Sequence, residues 1–220
     1  MLIARRLAVV VGALALATAP AGAQQIFFGD GGGAAATANA DFLAAIAGRS
    51  AYTENFDARA LGSTSVVVPG VLTTSGGNGV TSGNPYANGG TATSLNNGYE
   101  VFGNAATATF ASPISAFGFY MIDRESPFTI RVTLVGGGVT EYSLPGSPTN
   151  GALSYYGQVY ASNQIASVTV AAFSDDGVLL DDVTAAVDLR STVPEPSTWA
   201  LMGSGLLGLA GVARRRRAQR

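Results

Sequence analysis

Carboxylates supply nearly all the reactive chemistry this chain has to offer. It carries 14 acidic residues and neither cysteine nor histidine. That excludes disulfides, thiolate nucleophiles, Ser-His-Asp triads and zinc sites built on Cys or His. Four acids stand out by position, Glu54 and Asp57 early and Asp181 and Asp182 late. Hard oxygen donors of this kind suit Ca2+, although no contiguous Asp-x-Asp-x-Asp-Gly loop is present. If Asp181 and Asp182 lie in a strand, they point to opposite faces, and the inward one needs a partner. Ca2+, a set of backbone amides or Arg59 would each serve.

A second group is Asp123-Arg124-Glu125, expected in the loop after a core strand. Two carboxylates are the minimum for glycoside hydrolysis, which sets them about 5–9 Å apart across a sugar cleft. No nucleophile–base arrangement accompanies this pair, so no enzyme activity is expected. Sugar stacking would fall to tyrosines, first Tyr86 and Tyr99, then Tyr120, Tyr155 and Tyr156. Tyrosines in a β-rich protein more often pack in the core or rim.

The elements that must hold these residues are short strands. Asn39 can cap a short helix near 40–47, with Phe42, Leu43 and Ile46 on one face and Gly48 at its end. From Tyr52 the apolar period becomes two. Tyr52–Asp57 and Ser65–Leu72 read as strands, the second demoted to an edge by Pro69. Residues 75–98 form a long loop of Gly, Asn, Ser and Thr. Strands follow at 105–110, 114–122, 128–135 and 139–144, with Gly136-Gly137-Gly138 turning a hairpin. Near the end, 165–173 is expected to pair with 178–189 across Ser-Asp-Asp-Gly. Eight to ten such strands with Gly-rich turns predict an all-β fold, a jelly-roll-like β-sandwich spanning 24–190. About 170 residues suffice for one sizeable core.

Charge is distributed unevenly. All 12 basic residues are arginine, and seven lie in the two end segments. The interior keeps five arginines against 13 acids, a net charge near −8. Such a domain is a poor binder of nucleic acid or anionic lipid, and suits metal cations or neutral polymers better.

Both ends read as targeting segments. Residues 1–23 have Arg5 and Arg6, an apolar Leu7–Ala19 run, Pro20, and the small-x-small site Ala21-Gly22-Ala23. That is a secretory signal peptide, cleaved after Ala23 by signal peptidase following Sec export. Residues 191–220 begin with Pro194-Glu195-Pro196, whose prolines hold an extended, helix-refusing strand. Trp199 suits a lipid–water boundary, and the uncharged helix 199–213 is shorter than the roughly 20 residues that span a bilayer comfortably. Arg214, Arg215, Arg216 and Arg217 then favour the cytoplasmic side.

This order of tripeptide, apolar segment and arginine cluster resembles the PEP-CTERM sorting signal read by exosortases. The resemblance implies export, transient anchoring in the inner membrane, and cutting near Pro194-Glu195-Pro196. Delivery to the cell surface or extracellular matrix would follow, in company with exopolysaccharide and biofilm. The closing strands, Ile165-Ala-Ser-Val-Thr-Val170 and Leu179-Leu-Asp-Asp-Val-Thr184, are also similar to jelly-roll domains of such cargo and, in outline, to carbohydrate-binding modules. In those modules an early and a late acid often share a structural Ca2+, which the resemblance would place on Glu54, Asp57, Asp181 and Asp182.

Overall fold

The computed structural model describes residues 24–82, 93, 97–172, 177–189 and 204–205. The signal peptide, most of the C-terminal segment and Tyr86 lie outside the described residues.

The chain opens with β1 (Gln25–Asp30) and α1 (Gly32–Ala45), then β2 (Ser50–Glu54), β3 (Val67–Val68), β4 (Leu72–Gly76) and β5 (Gly79–Ser82). There follow β6 (Asn97–Phe102), β7 (Ala105–Ile114), β8 (Ala116–Ile122), β9 (Phe128–Leu134) and β10 (Val139–Leu144). β11 (Leu153–Val159), β12 (Ile165–Ala172) and β13 (Gly177–Val187) complete it. Two antiparallel sheets form a sandwich. One has seven strands in the order β1-β11-β8-β13-β6-β5, with β2 also paired to β13. The other has six, β10-β9-β12-β7-β4-β3.

Period-two patterning explains the layers. In β9, Phe128, Ile130 and Val132 are buried while Arg131 is exposed. Their neighbours Val168 and Val170 on β12 and Phe117, Phe119 and Tyr156 from the facing sheet fill the space between. The triglycine hairpin forms as expected, with Gly136 and Gly137 at φ 90° and 88° and the Leu134 N–H donating to the Gly138 carbonyl at 2.7 Å. Pro69 ends β3 after two residues, at the edge of its sheet.

Three expectations change. The helix starts eight residues before position 40 and makes nearly four turns, because the alanine run 34–36 favours helix and Gly31, at φ 86°, provides its entry. Asn39 is thus inside the helix and not its cap, and Leu43 is exposed while Phe42 and Ile46 are buried. The long loop is interrupted, since 79–82 form β5 and 97–98 open β6. Finally, β12 and β13 do not pair. β12 lies between β9 and β7 in one sheet, and β13 between β8 and β6 in the other. Each strand buries one face toward the partner sheet, and crossing between layers gives both a central position with neighbours on either side.

α1 covers the outer face of the seven-stranded sheet. Ala35, Ala38, Phe42 and Ile46 fall on one stripe and pack with Ala116, Tyr155, Val159 and Ala186. Gly29 permits the turn into this helix, because a Cβ there would meet the Ala34 carbonyl oxygen at 2.1 Å.

Candidate functional site

The four carboxylates proposed as metal ligands are held by protein groups. Glu54 ends β2 and is 3% exposed. It pairs with the Arg59 guanidinium, accepts from the Tyr52 hydroxyl at 2.9 Å, and accepts from the Phe56 N–H at 2.9 Å. That last bond steadies Phe56, a non-glycine residue at φ 60°. Burial alone would push the Glu54 carboxyl up, but the Arg59, Phe56 and Tyr52 donors outweigh it and hold it below its ordinary value of 4.5. Asp57 accepts from the Asn97 N–H at 3.1 Å, tying the start of β6 to the β2–β3 connection.

Asp181 and Asp182 occupy a β-bulge. Along β13 the register against β8 passes from Asp181↔Tyr120 to Thr184↔Gly118, so β13 carries one extra residue. On its other side β13 pairs with β6 up to Leu180 and with β2 from Val183. The bulge therefore sits where one neighbour strand hands over to another and the ladder is interrupted. Asp181 is fully buried, and its carboxylate accepts from the Asp182 N–H at 2.8 Å. Asp182 has φ 49°. The Thr93 hydroxyl lies 2.9 Å from Asp181 Oδ2 and 2.8 Å from Asp182 Oδ2, so two carboxylates converge on one donor. Nothing in the local sequence marks Thr93 for this position. Among the described residues no three or more His, Cys, Asp or Glu side chains gather as a metal-binding group.

The Asp123-Arg124-Glu125 tip is not a pair of free carboxylates. Asp123, at φ 64°, accepts from the Gly151 N–H at 2.7 Å and locks the β8–β9 and β10–β11 connections together. Arg124, expected in a loop, is 1% exposed. Its Nη2 is 3.3 Å from Asp30 Oδ1, and its guanidinium lies 5.5 Å from the centre of the Phe28 ring. Burial pulls its pKa down, and Asp30 restores part of that. Asp30 in turn accepts from the Ser154 hydroxyl at 2.6 Å. Sequence reading missed Asp30 and Ser154, because they reach Arg124 only once β1 pairs with β11.

Tyr99, expected as a sugar platform, is a core residue. It is 1% exposed, its ring packs against Phe56 at 5.6 Å, and its hydroxyl donates to the Thr64 carbonyl at 2.7 Å. Tyr155 and Tyr156 are equally buried. Side chains closed in on all sides cannot stack on a polysaccharide.

Pro194, Glu195, Pro196, Trp199 and Arg214–Arg217 lie outside the described residues, as do Ala21 and Ala23. Among the described residues no helix is long and apolar enough to cross a membrane. Residues 192–217 match the model of the PEP-CTERM protein-sorting motif. No curated protein matches the chain. Among solved structures, the K2 cleaved adhesin domain of Lys-gingipain is similar at 15% identity and a TM-score of 0.43, over 62% of this chain and 99% of that one. A mutant of a family 29 carbohydrate-binding module is similar at 11% identity and a TM-score of 0.40, over 67% of this chain and 98% of that one. TmCBM61, in complex with β-1,4-galactotriose, follows at 10% identity and a TM-score of 0.29, over 65% and 90%. The chain thus joins a two-sheet antiparallel β-sandwich to a PEP-CTERM protein-sorting motif at its C terminus.

Proposed function

We propose that this chain is an exported surface or matrix protein whose C-terminal motif is processed by an exosortase. The match over residues 192–217 carries the reading. Supporting it is the order of parts in the sequence, with an export signal at one end and tripeptide, short apolar segment and arginine cluster at the other. The Sec machinery threads the chain outward, and signal peptidase cuts after Ala23. The apolar segment 199–213 then arrests it in the inner membrane, with Arg214–Arg217 held inside by the membrane's charge asymmetry. Pro194-Glu195-Pro196, whose prolines disfavour helix, is the stretch the protease would cut just outside the membrane. Cutting there releases the sandwich or transfers it to a surface acceptor, in association with exopolysaccharide.

The sandwich, which we read as jelly-roll-like, acts in this scheme by binding or scaffolding and not by catalysis. Its anionic surface keeps it soluble within a hydrated polymer.

Intact-mass analysis of protein from membrane, surface and medium fractions of a native host tests the proposal. A species running from Gln24 to near Pro196, alone or with added mass, is expected outside the inner membrane. A species that keeps Arg214–Arg217 and stays in the inner membrane would overturn it.

A further inference from the structure

Both ends of the described sandwich leave from the same side. Gln25 on β1 is opposite Val159 on β11, Val159 is opposite Ala116 on β8, and Ala116 is opposite Ala186 on β13. The first and last strand positions are thus level with each other and three strands apart, about 14 Å at the usual spacing. A belt of backbone hydrogen bonds closes this end across both sheets. The Val135 N–H donates to the Gln164 carbonyl at 2.8 Å, and the Gln164 N–H to the Ile114 carbonyl at 3.0 Å. The Tyr160 N–H donates to the Ser115 carbonyl at 2.7 Å, and the Ser115 N–H to the Ala186 carbonyl at 2.8 Å.

The same end gathers exposed aliphatic side chains. Val135 is 57% exposed, Val139 54% and Leu189 62%. Val67, 54% exposed, is level with Val139 through the register Val67↔Thr73↔Thr109↔Ser167↔Thr133↔Val139. Ile26, 49% exposed, is the second residue of β1. The opposite end carries acids instead. Asp30 is opposite Ser154, Glu100 is opposite Leu179, and Asp123 and Glu125 follow the last residue of β8. The far end also exposes Phe102 and holds Arg124 against Asp30, so the contrast along the strands is between aliphatic side chains where the chain enters and leaves and an excess of acids at the far end.

We infer that the end carrying Ile26, Val67, Val135, Val139 and Leu189 is a membrane-facing surface, which rests on the lipid bilayer while the C-terminal segment is anchored. This rests on the anchoring step of the proposed function. Ten residue-to-residue steps lead from Leu189 to Trp199, a reach of at most about 35 Å when fully extended, so the tether keeps this end beside the bilayer. Aliphatic side chains presented there gain by entering the interfacial layer, as the apolar faces of peripheral proteins do. The anionic end points away from negatively charged headgroups. The domain then stands upright, holding Leu189 and the adjoining tripeptide within reach of a membrane protease and presenting its far end to the exterior.

The absence of cysteine permits single-site labelling. The chain, exported in a host without exosortase and purified with its tail, is labelled with an environment-sensitive fluorophore at Val135→Cys, Val139→Cys, Phe102→Cys or Ala200→Cys. Each form is placed in phosphatidylcholine vesicles with lipids bearing nitroxide quenchers. Emission at 135 and 139 is expected to shift to the blue and be quenched several-fold more than at 102, with 200 quenched most. Quenching at 135 and 139 no greater than at 102, while 200 is strongly quenched, overturns the membrane-facing surface and leaves anchoring intact. A blue shift at 135 and 139 without lipid quenching points to a second protein copy and overturns it too. An unquenched probe at 200 removes the anchoring step itself, and this inference with it.

Discussion

Gly118 on β8 and Gly157 on β11 are register partners, and Phe42 of α1 packs over the hollow their missing side chains leave. A Cβ at 157 would lie 2.7 Å from Phe42 Cδ2, and one at 118 would lie 2.2 Å from the Tyr155 hydroxyl oxygen. The pair is the seat that lets the helix approach the sheet. Gly157→Val is expected to overpack it and cost about 1–3 kcal/mol. Phe42→Ala empties it at a cost of about 3–5 kcal/mol. Combined, the two changes should cost less than their sum, because they disturb one contact. Denaturant midpoints of the singles and the double decide it, and an unchanged midpoint for Gly157→Val would contradict the seating of the helix.

Glu54 ties acid stability to one buried carboxylate. Its folded pKa lies below the ordinary 4.5, so its contribution is fully present above that pH and is lost as pH falls through the folded value. Glu54→Gln removes the charge while keeping the shape. At pH 7 it is expected to cost about 1–3 kcal/mol, since Arg59 and the Phe56 N–H lose a charged acceptor. Denaturation curves at pH 7 and pH 3 should show a smaller pH effect in the variant than in the parent. Equal pH effects would mean that other carboxylates govern the acid limb.

Alkaline behaviour follows from three buried tyrosines. Burial pushes Tyr155, Tyr156 and Tyr160 well above their ordinary value of 10.0. Each stays neutral in the folded protein, so its contribution is present below pH 10 and is lost as pH rises beyond it. Absorbance at the tyrosinate band should rise in two stages, exposed rings first and the buried ones, Tyr99 included, only with loss of near-ultraviolet circular dichroism. A single wave with the dichroism retained would refute the burial.

Tyr155 offers a separate check. Among the described residues its buried hydroxyl has no hydrogen-bond partner. Tyr155→Phe should therefore leave thermal stability unchanged or raised, since removing an unsatisfied polar atom relieves a desolvation cost of about 1–3 kcal/mol. A clear loss of stability would reveal a bond to that hydroxyl.

Sorting should depend on the stiffness of the tripeptide. Replacing Pro194 and Pro196 by Ala removes the two residues that disfavour helix around Glu195. The variant is expected to accumulate uncut in the inner membrane, read by fractionation and intact mass. Normal release would show that recognition lies elsewhere in the tail.

Some of this was legible one residue at a time. The C-terminal sorting motif, the lack of Cys and His chemistry, the triglycine hairpin and the edge position of Pro69 depend on local composition, charge and φ preferences. Neighbouring residues alone determine such features, so a linear reading reaches them. The alternating strands announced a sandwich for the same reason, because burial on one face imposes a period of two.

Partnership is what the linear sequence does not contain. The 165–173 and 178–189 segments looked like a hairpin, yet β12 and β13 became central strands of different sheets, where both edges are paired. Arg124 looked like a surface charge until the β1–β11 pairing brought Asp30 and Phe28 against it. Tyr99 looked like a ligand platform until Phe56 closed over it. Asp181 and Asp182 fill the gap where β13 exchanges β6 for β2, a place that no local pattern announces. The sequence by itself determined where the chain is sent and what chemistry it lacks, because those are written in local signals. The tertiary structure alone decided which charges are used up inside and which side chains stay exposed, because hydrogen-bond partners and exposure exist only after distant strands meet.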